Sequence, residues 1–136
     1  MKRLPDWRDR LIAYLAASAR TPFAEGRHDC ALFAAAAILA MTGEDPAQDF
    51  RGRYSTTRGG LRVLRRAGFA DHLAIADRYF DPMPCAFARP GDLAAVPGAE
   101  GPALGIVQGD RVYVLRREGL GTVSILKAVH AWRVPV

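Results

Sequence analysis

The chain has 136 residues, half of them hydrophobic, and 19 Lys and Arg against 14 Asp and Glu give it a formal charge of +5. That length and apolar content suit one domain, residues 1–136, built around a single core. Cys30 and Cys85 are the only cysteines, too few for a disulfide-stapled scaffold and without the CxxC spacing of a zinc site, so no metal or cofactor is expected.

The opening Met1-Lys2-Arg3-Leu4-Pro5-Asp6 leads into a Trp/Arg/Asp segment, not an apolar signal core, and no apolar run approaches about 20 residues. Cytoplasmic synthesis without membrane insertion is the expectation. Asp6 is placed to cap a first helix in which Trp7, Leu11, Ile12, Leu15 and Ser18 recur at helical spacing, ended before Thr21-Pro22. After a turn at Glu25-Gly26-Arg27-His28-Asp29 comes an unbroken apolar run, Ala31 to Met41. It reads as a helix with Asp29 as N-cap, Cys30 as first residue and Gly43 as its stop.

A polar connection from Gly43 to Thr56 precedes a third helix, Thr57 to Ala67, ended by Gly68. Arg58, Arg62 and Arg65 share one of its faces, with Arg66 beside them, and Leu61 and Leu64 are expected on the opposite, buried side. Such a stripe suits an acidic protein face or an anionic polymer; nucleic acid is disfavoured, because no aromatic interleaving or nucleic-acid motif accompanies it. A shorter helix runs from Asp71 to about Tyr79. Asp81-Pro82-Met83-Pro84 and Arg89-Pro90-Gly91 then act as breakers. Strands follow at Asp92 to Val96, Ala103 to Gln108, Arg111 to Arg116, Thr122 to Leu126 and Ala131 to Val134, with a hairpin turn at Gly109-Asp110.

Helices followed by an antiparallel sheet make an α+β arrangement. The Ala-, Leu- and Ile-rich helix has no polar face, so it is the natural central helix, packed on the C-terminal sheet with its N-terminus toward the sheet's side chains. Cys30 then stands where unpaired N–H groups and the helix dipole favour a thiolate nucleophile. The alternative is a small apolar side chain that simply packs.

The Gly26-Arg27-His28-Asp29-Cys30 stretch ahead of an apolar helix, Pro90-Gly91-Asp92-Leu93 opening a strand, and Ala103-Leu104-Gly105-Ile106-Val107 running to the Gly109 turn resemble the NlpC-like branch of the papain-like cysteine peptidases. Gly26 to Phe33, Thr42-Gly43-Glu44-Asp45-Pro46, Arg51-Gly52-Arg53-Tyr54 and Ala131-Trp132-Arg133-Val134 are similar to a small uncharacterised family encoded beside phage and prophage tail genes. The resemblance implies a papain-like fold in a tail-module protein, ending in a virion or tail-like particle, with tail proteins and peptidoglycan as partners. It also implies Cys30 as nucleophile toward cell-wall stem peptides.

The family's base histidine stands two residues before the Gly-Ile of the second strand, and that position here is Ala103, which cannot carry a proton. His130 is the first surrogate, if the last strand adjoins the one carrying Ala103, and His28 is the second; His72 is expected on the surface. The alternative is a catalytically inactive tail component that docks an acidic partner through Arg58, Arg62, Arg65 and Arg66.

Overall fold

In the computed structural model, which describes residues Met1 to Val136, the apolar run forms helix α2 (Cys30–Thr42). Asp29 caps it, accepting from the Leu32 amide at 3.0 Å, and Gly43 closes it in the left-handed conformation at φ +82°. A helix without a polar face is covered on most sides, and here Leu39 is its one exposed large side chain. Helix α1 (Trp7–Ser18) covers one side of α2 through Leu11 and Leu15, and the sheet covers another through Leu104, Ile106 and Leu115. On the remaining side Leu32 and Ala35 meet Ala47 and Phe50, with half-buried Val63, Leu64 and Phe69 behind them.

Helices α3 (Thr57–Arg66) and α4 (His72–Tyr79) follow, and then strands β1 (Asp81–Met83), β2 (Leu93–Val96), β3 (Ala103–Gln108), β4 (Arg111–Arg116), β5 (Gly119–Ser124) and β6 (His130–Arg133). The strands form one antiparallel sheet in the order β1-β6-β2-β3-β4-β5. The α+β arrangement, with the Cys-bearing helix packed on the C-terminal sheet, is therefore as expected. The sheet's other face buries Ala94, Val96, Val107, Val112 and Val114 beneath two short 3₁₀ turns, Cys85–Phe87 and Ile125–Lys127.

Three local expectations change. The Asp81-Pro82-Met83 breaker is strand β1, paired with β6 at the sheet edge, where the missing N–H of Pro82 breaks no ladder on the solvent side. Strand β5 opens at Gly119, opposite Arg116, and ends at Ser124, so Leu126 belongs to a 3₁₀ turn and is exposed. On α3, Leu61 and Leu64 are half-buried; only Gly60 is buried, its Cα facing the Tyr54 ring, where a Cβ would approach ring carbons at 3.0 Å.

The chain ends are tied to the sheet by one buried ion pair. Arg3 donates to Asp92 at 2.9 Å and to the carbonyls of Pro90 and Val134 at 3.0 Å each. Asp92 also accepts from the amides of Arg89 and Val134. The side chains are 5% and 2% exposed, and the guanidinium lies 4.3 Å from the centre of the Trp7 ring. Gly91, at φ +90°, is required here, since a Cβ would sit 2.6 Å from Arg3 Nη1. The Pro90-Gly91-Asp92-Leu93 motif thus serves this anchor. Asp92→Ala leaves a buried guanidinium without its counter-charge and should cost about 3–5 kcal/mol, read from urea unfolding. A loss under about 1 kcal/mol would mean that water replaces the carboxylate.

Candidate functional site

The start of α2 is held by the carboxylate that caps it. Besides the Leu32 amide, Asp29 accepts from the Gly26 amide at 2.9 Å and from the Tyr54 hydroxyl. Gly26 sits at φ +81° so close to Tyr54 that a Cβ would overlap the Tyr54 carbonyl oxygen. Burial first, and then the bond to Asp29, raises the Tyr54 phenol above its ordinary pKa, so Tyr54 remains a donor.

Cys30 occupies the first helical position, as the sequence indicates, but its thiol is not poised as a thiolate. Sγ lies 3.5 Å from the Leu104 carbonyl, which it meets as a donor. Burial pushes the thiol from 9.0 up to about 11; the Asp29 carboxylate adds to the rise and Arg116 opposes it. This direction is opposite to the one expected of a helix start, and desolvation of the sulfur is its largest cause.

The histidines are dispersed. His130 is the first residue of β6, which adjoins β1 and β2 but not β3, so the condition that favoured it fails. In the row Leu104, Ala95, His130 it lies two strands from the carbonyl that holds Cys30, about 10 Å across the sheet. It is exposed beside Trp132 and lines a separate hollow of about 290 Å³ with Cys85 and Asp77. His28 turns its ring edge-on to Phe33 at 6.4 Å; its Nε2 is buried without a partner, and burial lowers its pKa. No histidine is among the groups that act on the Cys30 thiol.

His72, expected on the surface, is the histidine that shares a groove with Cys30. Its Nε2 lies 2.9 Å from the Pro102 carbonyl, at the entry to the strand whose Leu104 carbonyl holds the thiol. Asp71 caps α4 by accepting from the Ala74 amide at 3.0 Å, but the contact of His72 across 30 residues has no local signal. Ala103 packs with the valine cluster on the sheet face away from α2, while Leu104 packs with the α2 core. Neither position offers a base.

The groove, about 1110 Å³, runs along α2 beneath α3 and α4 to the β2–β3 loop and the β4–β5 turn. At its mouth Arg117 donates to Glu25 at 3.1 Å and to Glu100 at 3.2 Å, while the Thr57 hydroxyl donates to Glu25 at 2.6 Å. Arg58, Arg62, Arg65 and Arg66 are all exposed on α3 and make no ion pair. Cys30 and Cys85 are both free thiols, and no three His, Cys, Asp or Glu side chains converge as metal ligands would.

Fold and site together define an α+β domain with a protonated thiol at the start of its central helix and an apolar groove alongside. Residues 2–134 match a domain of unknown function, DUF6950, and the chain belongs to that family. Comparison with curated proteins finds no match.

Two outcomes follow from the cap network and its neighbour. Tyr54→Phe removes a hydrogen bond to a buried carboxylate and should destabilise the fold by about 1.5–3 kcal/mol in chemical unfolding. His28 has a folded pKa below its unfolded value, so the unfolded state binds the extra proton and stability falls as pH drops below about 6.5. His28→Gln should flatten the melting temperature between pH 7 and pH 5; an unchanged slope would assign it to other groups.

Proposed function

We propose that this chain is an NlpC-like domain of the papain-like fold that serves a phage or prophage tail module by binding, with its cysteine site retained as structure. The layout of a helix-start cysteine on a central helix against an antiparallel sheet supports the NlpC-like part of this reading. The single observation that carries the rest is the Cys30 thiol, protonated and turned to a backbone carbonyl with no histidine acting on it. Acyl transfer needs a base within about 2.6–3.2 Å of the proton it removes, or one water away. The unpaired Arg58, Arg62, Arg65 and Arg66 supply the docking face, and an acidic tail protein is the partner their charge suits.

A second reading, hydrolysis of peptidoglycan stem peptides by Cys30, is favoured by one feature: His72 lines the same groove, and catalytic hydrogen bonds are often long before substrate binds. In that reaction the thiolate attacks the scissile carbonyl, the base passes the thiol proton to the leaving amine, and water releases the acyl group.

The rate of Cys30 alkylation against pH, in a Cys85→Ser background, separates the two. Binding predicts an inflection above 9, toward the raised value of about 11, and no Cys30-dependent cleavage of stem peptides. An inflection below about 7 together with cleavage lost in Cys30→Ala and His72→Ala would establish the hydrolase. For the docking face, Arg58→Glu/Arg62→Glu/Arg65→Glu should abolish association with purified tail proteins encoded beside the gene. Unchanged association would remove that face from the proposal.

A further inference from the structure

The chain presents an apolar knob on one side of its sheet and an apolar groove on the other. Among its large hydrophobic side chains Leu126 is 91% exposed, Phe87 63% and Val129 50%. They belong together. The turns Cys85–Phe87 and Ile125–Lys127 lie side by side over the sheet face away from α2, and Val129 lines the 290 Å³ hollow with Cys85. Pro84 and Ala88 flank one turn and Ser124 and Ala128 the other, all extended with ψ of 136–137°, so the middle of each turn stands out from the sheet. A leucine and a phenylalanine left together in water are the mark of a contact surface.

The groove has the opposite charge from the chain as a whole. Along it lie the carboxylates Glu25, Asp29, Asp71, Glu100 and Glu118 against only Arg116 and Arg117, in a chain of net charge +5. The knob is basic at its rim. Lys127 and Arg89 are exposed there and make no ion pair, with Asp110 beside them, its carbonyl taking the Ile125 amide. Two knobs face to face would set Lys127 and Arg89 against their own copies, whereas a knob in the groove sets them against the surplus carboxylates. Within one molecule the sheet separates the two, since the groove runs along α2 and the knob is on the far face. Only another molecule can bring them together.

We propose that the Phe87 and Leu126 knob of one molecule docks in the groove of a second copy, a head-to-tail contact that repeats into a chain or closes into a ring. The contact uses neither the arginine face of α3 nor the chemistry of Cys30, so it stands or falls apart from the tail-module reading. The test is sedimentation velocity of the full chain from about 1 μM to 1 mM. Wild type should grow past the mass of a dimer as concentration rises, because each added copy leaves one knob and one groove free. Phe87→Asp and Leu126→Asp, at exposed positions, should each weaken self-association by about thirtyfold. Lys127→Glu should weaken it by about three- to tenfold.

From the other side, Leu61→Lys puts a cation on a half-buried lining position, and Glu100→Lys/Glu118→Lys reverses charge at the exposed mouth; each should leave a monomer with an unchanged circular dichroism spectrum. The deciding sample mixes Leu126→Asp with Glu100→Lys/Glu118→Lys. Each is a monomer alone, but together they keep one sound knob and one sound groove that match, so they should form a one-to-one dimer and stop there. A monomer at every wild-type concentration, a wild-type assembly that stops at a dimer, or a mixture that stays monomeric would overturn the proposal.

Discussion

Helix α2 sets the terms for the rest of the fold. Of its 13 residues only Cys30 and Thr42, at the two ends, carry a polar side-chain atom, so it has no side that favours water. Each neighbouring layer exists where α2 needs cover: α1 on one flank, the sheet on another, and the 45–54 connection with α3 on the third. The sheet and α1 cover it completely, as the fully buried Phe33, Ala37 and Met41 indicate. The third side is covered less closely, by side chains that are themselves half-buried, and the groove lies there. The opening is thus a consequence of which layer is thin.

Two buried carboxylates hold this arrangement in register. Asp29 fixes the start of α2 to the loop before it and to Tyr54, and Asp92 fixes the start of β2 to the N-terminal Arg3 and to the segment after β6. Each accepts several N–H or O–H donors, which is how an ionised group remains buried without an uncompensated charge. Both sit beside a glycine with positive φ whose Cβ would collide with the partner, Gly26 against Tyr54 and Gly91 against Arg3. The Gly-x-x-Asp and Pro-Gly-Asp-Leu stretches, the parts of the sequence that look most like signatures, therefore have a structural explanation before any catalytic one.

What was legible in the sequence was local. The caps Asp29 and Gly43, the apolar run between them, and the β3 and β4 strands around the Gly109 turn are set by neighbouring residues, and each forms where expected. Strand β1 was illegible because Pro82 reads as a breaker until β6, arriving about 50 residues later, provides an edge to pair with. The site residues that were missed all act over distance. His72 meets Pro102 across 30 positions, Arg3 meets Asp92 across 89, and Arg117 meets Glu25 across 92. Likewise, the first place given to His130 depended on strand order, which no local pattern in the chain encodes.

The thiol illustrates how a correct placement can yield the wrong chemistry. A helix N-terminus stabilises an anion by roughly 0.3–2 kcal/mol. The Cys30 pKa moves in the opposite sense, from 9.0 up to about 11, with burial as its largest cause. The residue before it adds to the rise. Asp29 is already the anion at this helix start, taking the Leu32 amide and placing a negative charge beside the sulfur, so a thiolate would be the second anion at one terminus. An Asp-Cys pair at a helix start can support a nucleophile only when a nearby cation, usually a histidinium, offsets the capping charge. Here the one cation acting on the thiol is Arg116, which cannot accept the thiol's proton.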